Sequence, residues 1–249
     1  MAHSFGVVEE KLLETEFFLG LFGSAGRSFD SRFYFSAFVS AARSVTFALQ
    51  FSMKEVDGFE AWYATAQAAL KADSLAPHFV EMRNDVQKKG LNRLNAVPVT
   101  HLRQHLAEQL VGGSPVSVLV LPSAKSGSTT VLTDALEASR SYFKLLVSLV
   151  FDAYAQFKTV VDPRWYFTQA NFEAAGRTLE DALVELGFPS SWVAAAPHGA
   201  EAWRVLRSQQ PSCALNELFE RYLNKSIVDP DEAAEQAVAA DDPAAGTSV

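Results

Sequence analysis

Within ten residues, EMRNDVQKKG at 81–90, the chain places Arg83 and Asn84 about one helical turn ahead of Lys88 and Lys89. A guanidinium, a side-chain amide and two ammonium groups suit a phosphodiester: the cations hold phosphate oxygens and the amide orients one of them. The window from Met82 to Leu106 adds Arg93 and Arg103, and its one acid is Asp85, a local charge of +4. Charge of that kind attracts phosphates by releasing counterions, but it fits a solvated helix face equally well. Lys88 and Lys89, in the last turn before Gly90, also complement the negative end of a helix. That explanation leaves Arg83 and Asn84 unaccounted for. Helical geometry puts Asn84 and Lys88 on one face at i, i+4, with Glu81 a turn before Asn84.

Other spacings point to less. His101 and His105 stand at i, i+4, a metal-ligand spacing, but no Glu follows His101 and no Cys completes a set, so no metal site is expected. GLFGSAG at 20–26 is neither a dinucleotide fingerprint nor a phosphate loop and reads as a turn between helices. SAKSGST at 123–129 lacks the frame of a nucleotide-binding loop and reads as the loop of a hairpin. His78 reads as a partly buried core residue and His198 as a loop residue. No cofactor is expected.

The chain around these residues has 249 positions, 49% hydrophobic and 20% charged, with 19 Phe, the composition of an ordinary globular protein. The net charge of -8 is uneven: residues 229–249 hold six of the 29 acids and no Lys or Arg, which leaves 23 acids against 21 bases elsewhere. The acidity is therefore mostly that of the tail and does not exclude a nucleic-acid partner. A lone Cys213 forms no internal disulfide. The longest apolar run, LLVSLVF at 145–151, is far short of the ~20 residues that span a bilayer. No charged n-region with an apolar h-region opens the chain. A cytoplasmic protein with no membrane association is expected.

Apolar periodicity predicts a mainly α chain. A first helix over Phe5 to Leu21 is stopped by GSAG at 23–26. A second, from Ser28 onward, is apolar on nearly all sides and carries Ser36, Ser40 and Ser44 in one row, where another backbone can come close. A third covers 58–72. A fourth follows Asp73 or Ser74 as N-cap and ends at Gly90. Beyond it come a short helix THLRQHLAEQLVGG, a small β-hairpin near 116–133, a long helix from Ala135 to Val161 broken by DPRW, and helices over Asn171 to Leu186 and Ala200 to Leu223. The expected division is a helical bundle over 5–92, a mostly helical region over 93–228, and a disordered acidic tail over 229–249. Trp165, Tyr166 and Phe167 fit either the core or a surface for a protein partner.

EFFLGLF, FYFSAFVSAARSVTFALQ, FEAWY and LKADSLAPHFVEMRN, closed by Gly90, resemble the HEPN family of small α-helical domains over the first ninety residues. The resemblance implies a bundle that dimerises so that two copies of an Arg-polar-x(3 to 5)-His motif meet in a cleft. It also implies metal-independent RNA cleavage through the ribose 2′-hydroxyl in active members. Arg83 matches the motif Arg and Asn84 its polar companion, but Lys88 stands where the family has His. An imidazole, with a pKa near ~6.5, can exchange a proton at neutral pH, whereas an ordinary lysine near ~10.4 holds its proton and can only bind a phosphate or steady developing charge.

The residues and the resemblance leave three readings open. The first is a homodimer that binds RNA or a nucleotide at Arg83, Asn84 and Lys88, assisted by Lys89 and Arg93, with little or no catalysis, in the defence or toxin–antitoxin setting that the family implies. The second is a metal-independent endoribonuclease in which Lys88, His78 or His101 replaces the missing histidine. The third is a dimeric scaffold whose C-terminal half recognises a protein.

Overall fold

Apolar residues at helical spacing over the first ninety positions build four helices in a computed structural model: α1 (Gly6–Ala25), α2 (Ser31–Met53), α3 (Phe59–Ala72) and α4 (Ala76–Lys89). The structure describes residues 4–26, 29–97, 116–122, 130–189 and 199–234. The short helix expected at 100–113 with His101, Arg103 and His105, the loop at 123–129, and His198 lie outside the described residues. Beyond α4 come β1 (Asn95–Val97), β2 (Val116–Pro122) and β3 (Thr130–Asp134). They form an antiparallel sheet of order β1-β2-β3, with Ala96 opposite Ser117 and Val120 opposite Leu132. The long helix α5 (Ala135–Gln156) comes next. Asp134 starts it by accepting the Glu137 N–H at 2.8 Å. The chain is mainly α.

The described residues of Gly6–Val150 form one compact unit, and Phe5 with those from Phe151 onward a second. The division between these two units falls inside α5.

In the first unit α1 lies along α2, and α2 along α4. Phe22 meets Phe35 at 5.3 Å between ring centroids, Phe38 meets Phe79 at 6.1 Å, and Phe79 stacks on Tyr142 at 4.4 Å. Leu12, Leu49, Met82, Phe143 and Leu146 are fully enclosed around them. Each such side chain contributes roughly 1.5–3 kcal/mol on burial, so this core outweighs any single polar contact.

α1 runs four residues past Leu21 and stops at the end of GSAG. Gly20 has open space beside it and Gly23 faces the Leu136 side chain, so neither breaks the helix, which ends at Ala25 before Gly26 at φ 56°. The serine row is half-buried. Ser44 donates to the Ser40 carbonyl at 3.1 Å, and Gln87 of α4 donates to Ser40 Oγ at 3.5 Å. Among the described residues, α4 thus reaches the serine row through the Gln87 side chain.

In the second unit the expected long helices are shorter and more numerous: α6 (Lys158–Val161), α7 (Pro163–Tyr166), α8 (Gln169–Ala174), α9 (Leu179–Glu185), α10 (Ala200–Ser208) and α11 (Asn216–Leu223). Asp162 caps α7 by accepting the Arg164 and Trp165 N–H groups and also accepts the Tyr154 hydroxyl at 3.0 Å; burial pushes its carboxyl up. Thr168 caps α8, and Thr178 with Asp181 closes a capping box on α9.

Phe167, Phe172, Ala182, Trp203 and Leu206 make the apolar centre of α7 to α10, with Tyr166 packed against it. Of the aromatic trio, Phe167 is thus core. Trp165 donates its Nε1–H to the Val228 carbonyl at 2.9 Å and carries Lys158 Nζ 3.4 Å from its ring centroid. Nor is the acidic segment disordered from its first residue. Asp229 receives Arg164 Nη1 at 2.5 Å, Asp231 is paired with Arg207, and 230–234 form a helical turn.

Candidate functional site

α4 ends with its polar residues placed by two ordinary devices. Asp73 Oδ1 accepts the N–H groups of Leu75 and Ala76, at 2.7 and 2.8 Å, and so fixes where the helix starts. Gly90 at φ 65° closes it, with the Leu91 N–H returning to the Asp85 carbonyl at 3.1 Å. Ala76, Phe79 and Met82 point into the core, which sets Arg83 and Asn84 at the edge of the buried face and Lys88 in solvent.

Arg83 is half-buried. Its Nη1 donates to Asn84 Oδ1 at 3.2 Å, and its Nε is buried with no hydrogen-bond partner. Among the described residues no carboxylate lies within ion-pair distance of it. A buried donor left unsatisfied costs roughly 1–3 kcal/mol, and more when it belongs to a charged group. Lys88 is exposed and makes no ion pair among the described residues. Arg83 and Asn84 are thus bonded to each other, and none of Arg83, Asn84 and Lys88 meets a carboxylate among the described residues.

Lys89 and Arg93 differ. Asp85 is buried, and its Oδ1 receives Lys89 Nζ at 2.8 Å while its Oδ2 receives Arg93 Nε at 2.6 Å; a second Arg93 nitrogen closes the fork. Arg93 Nη1 also lies 3.6 Å from Glu81. Hydrogen bonds from Lys89 and then Arg93 hold the Asp85 carboxyl below the usual carboxylate range. Of the cations read as a phosphate surface, these two already have a carboxylate partner. The return of the chain that makes this pairing is pinned by Asn92, which donates to the Arg32 carbonyl at 2.7 Å and accepts the Leu94 N–H at 2.9 Å.

His78 is the only histidine among the described residues. Its five-residue offset from Arg83 corresponds to about 140° around the helix, so the two do not share a face. Its Nδ1 is buried without a hydrogen-bond partner. The arrangement at Arg83 can therefore hold and orient a phosphate, and no described imidazole stands beside it to move a proton.

Reasoning from the sequence missed two things. One is Asp85 as the counter-charge, for which the i, i+4 spacing to Lys89 was the available signal. The other is Arg43, a lone cation in the otherwise apolar stretch of α2, which the structure sets against Tyr63 and Tyr142.

A mainly α unit that gathers cations at one helix end is what fold and site define together. Residues 28–131, less than half of the chain, match the family model of bacteriophage lambda protein ea47, a span that takes in α2, α3, α4 and the site just described. No curated protein and no solved structure matches the chain. Among the described residues no helix is long and apolar enough to cross a membrane.

Proposed function

We propose that residues 5–92 form a HEPN-like bundle that binds RNA or a nucleotide phosphate at Arg83, Asn84 and Lys88, with little or no cleavage. The observation that carries this reading is the half-buried Arg83 guanidinium, which among the described residues has no partner for its Nε and no carboxylate for its charge, while its neighbours Lys89 and Arg93 are both paired. Arg83 and Lys88 hold phosphate oxygens and Asn84 orients one of them. Lys88 stands in place of a proton-transfer group, so binding is the output, in the defence or toxin–antitoxin setting that the HEPN resemblance implies. The test is RNA cleavage in EDTA at neutral pH by the natural chain, Lys88→His and Arg83→Ala, with RNA binding measured in parallel. Binding by the natural chain that is lost in Arg83→Ala, with cutting only by Lys88→His, supports the reading. EDTA-resistant cutting by the natural chain, abolished in Arg83→Ala, gives the site to an endoribonuclease instead, and absence of binding at low salt rejects both.

A second reading has its own observation. Phe33, Phe47 and Phe51 of α2 are exposed by 58%, 48% and 69%. Their spacings of 14 and 18 residues bring all three to one side of the helix, within about 40° of each other. A row of exposed aromatics fits a protein contact, and with a second copy of the chain it gives the homodimer in which two Arg83 sites meet.

A further inference from the structure

Within the first unit, α2, α3, α4 and α5 line a half-open pocket of about 260 Å³. Its polar end is formed by Arg43, Tyr63 and Tyr142, and its apolar wall by Leu70, Pro77 and Val80. Arg83 does not line it, so the cavity is independent of the site at the end of α4.

Arg43 is held but not neutralised. Its Nη1 donates to Thr46 Oγ1 at 3.1 Å, its guanidinium carbon lies 4.3 Å from the Phe47 ring centroid, and no carboxylate lies within ion-pair distance of it among the described residues. Thr46 returns its own hydroxyl to the Arg43 carbonyl at 3.0 Å, which fixes the base of the side chain. Tyr142 is 4% exposed and lines the cavity, and its hydroxyl has no hydrogen-bond partner among the described residues. Burial pushes the Tyr142 phenol up to about 12 and raises that of Tyr63 too, against the pull of Arg43 on both. Both therefore remain hydrogen-bond donors at neutral pH. Asp73, whose charge also raises the Tyr142 phenol, is occupied in capping α4.

We propose that this cavity is a binding site for a small organic monocarboxylate, its carboxylate on Arg43 and the Tyr63 and Tyr142 hydroxyls, its apolar body against Leu70, Pro77 and Val80. One guanidinium with two neutral donors matches a single negative charge better than a phosphate dianion. The other lining cation, Lys71, is exposed, and its ammonium is bonded to Gln67 at 3.1 Å. The Tyr142 hydroxyl faces the pocket with no protein partner among the described residues, so a carboxylate oxygen can accept from it at the place where Arg43 supplies the charge. The volume falls just under the roughly 300–1,000 Å³ of pockets for drug-sized molecules, which sets the ligand at fragment size.

Calorimetric titration of the full chain with hexanoate and with phenylacetate tests the site, with hexan-1-ol and inorganic phosphate as comparison probes. The expected result is saturable binding of at least one carboxylate below about 10 mM, at least about tenfold weaker in Arg43→Gln and about threefold weaker in Tyr142→Phe. Leu70→Trp, which fills the cavity from its apolar side and leaves the charge untouched, abolishes binding and keeps the test open should Arg43→Gln fail to fold. No binding by either carboxylate, hexan-1-ol binding as well, phosphate binding more tightly, or carboxylate binding that survives Leu70→Trp each overturns the proposal.

Discussion

Asp85 and Arg93 meet across the end of α4, with Arg93 Nε 2.6 Å from Asp85 Oδ2 and Lys89 on the other carboxylate oxygen. One acid thus occupies two of the cations that the sequence assembles around Arg83. In Asp85→Asn Lys89 loses its carboxylate and Arg93 keeps only its longer contact with Glu81. Binding of a polyanion such as poly(U) then strengthens, and its dependence on salt steepens by roughly 0.7 to 1.4 in the log–log slope, since each added phosphate contact contributes about 0.7 on a single strand. Fluorescence titration at two or more salt concentrations reads both effects.

The same carboxylate gives a pH dependence with a definite sign. Hydrogen bonds to Lys89 and Arg93 lower its folded-state pKa, so its contribution to stability is fully present above the unfolded value near ~3.9 and disappears as pH falls through the folded value. Between about pH 5 and pH 3 the natural chain should lose more in Tm than Asp85→Asn, and a thermal melt series on the two proteins gives the comparison.

Arg83 and Lys88 should behave alike towards charge and differently towards fold. Each substitution by Ala lowers RNA affinity at all sequences and reduces the salt slope by about one. Arg83→Ala also removes a buried donor without a partner, so its Tm should hold or rise, whereas Lys88→Ala, in solvent, stays within about 0.5 kcal/mol. A fall in stability of several kcal/mol for Arg83→Ala would mark it as structural and sink its assignment as a ligand group.

For the exposed row on α2, Phe51→Asp and Phe33→Asp are expected to weaken self-association at least about tenfold while leaving the helix content unchanged. Sedimentation equilibrium over a range of protein concentrations decides it. A natural chain that is monomeric throughout removes the second copy from consideration and leaves that face to another protein.

In the second unit, ending the chain at Val228 removes Asp229 and Asp231 and leaves Arg164 and Arg207 without their carboxylates. Both arginines are mostly buried, so a loss of about 1.5–3 kcal/mol for each is expected, visible as a Tm several degrees lower. Asp229→Ala and Asp231→Ala in the full chain should share that loss between them.

Helices α2 to α4 are legible in the sequence because their apolar residues keep one period over many turns. Asp73 and Gly90 stand where caps belong, and the capping box at Thr178 and Asp181 is present in TLED, though the apolar pattern around it reads as the interior of one longer helix. Gly20 and Gly23 mislead in the opposite sense: a glycine weakens a helix by only ~1 kcal/mol, and a long apolar face carries the helix past it. The candidate site is half legible. Residue types give Arg83, Asn84 and Lys88, while the pairing of Arg93 with Asp85 depends on where the chain goes after the helix, which no count of charges contains. Arg43 is visible as a lone cation among apolar neighbours. Its partners Tyr63 and Tyr142 lie 20 and 99 positions away and meet it only in the folded unit.

Gly90 holds more than a helix end. Its backbone at φ 65° lies in a region that a β-carbon makes unfavourable by roughly 1–2 kcal/mol, and the turn built there is what carries Arg93 back to Asp85. Whether the Arg93 charge beside Arg83 is held on Asp85 therefore depends on the handedness of one residue, whereas Lys89 meets Asp85 within the helix in either case. A methyl group at position 90, uncharged and apart from any ligand, would act on the electrostatics of the whole helix end.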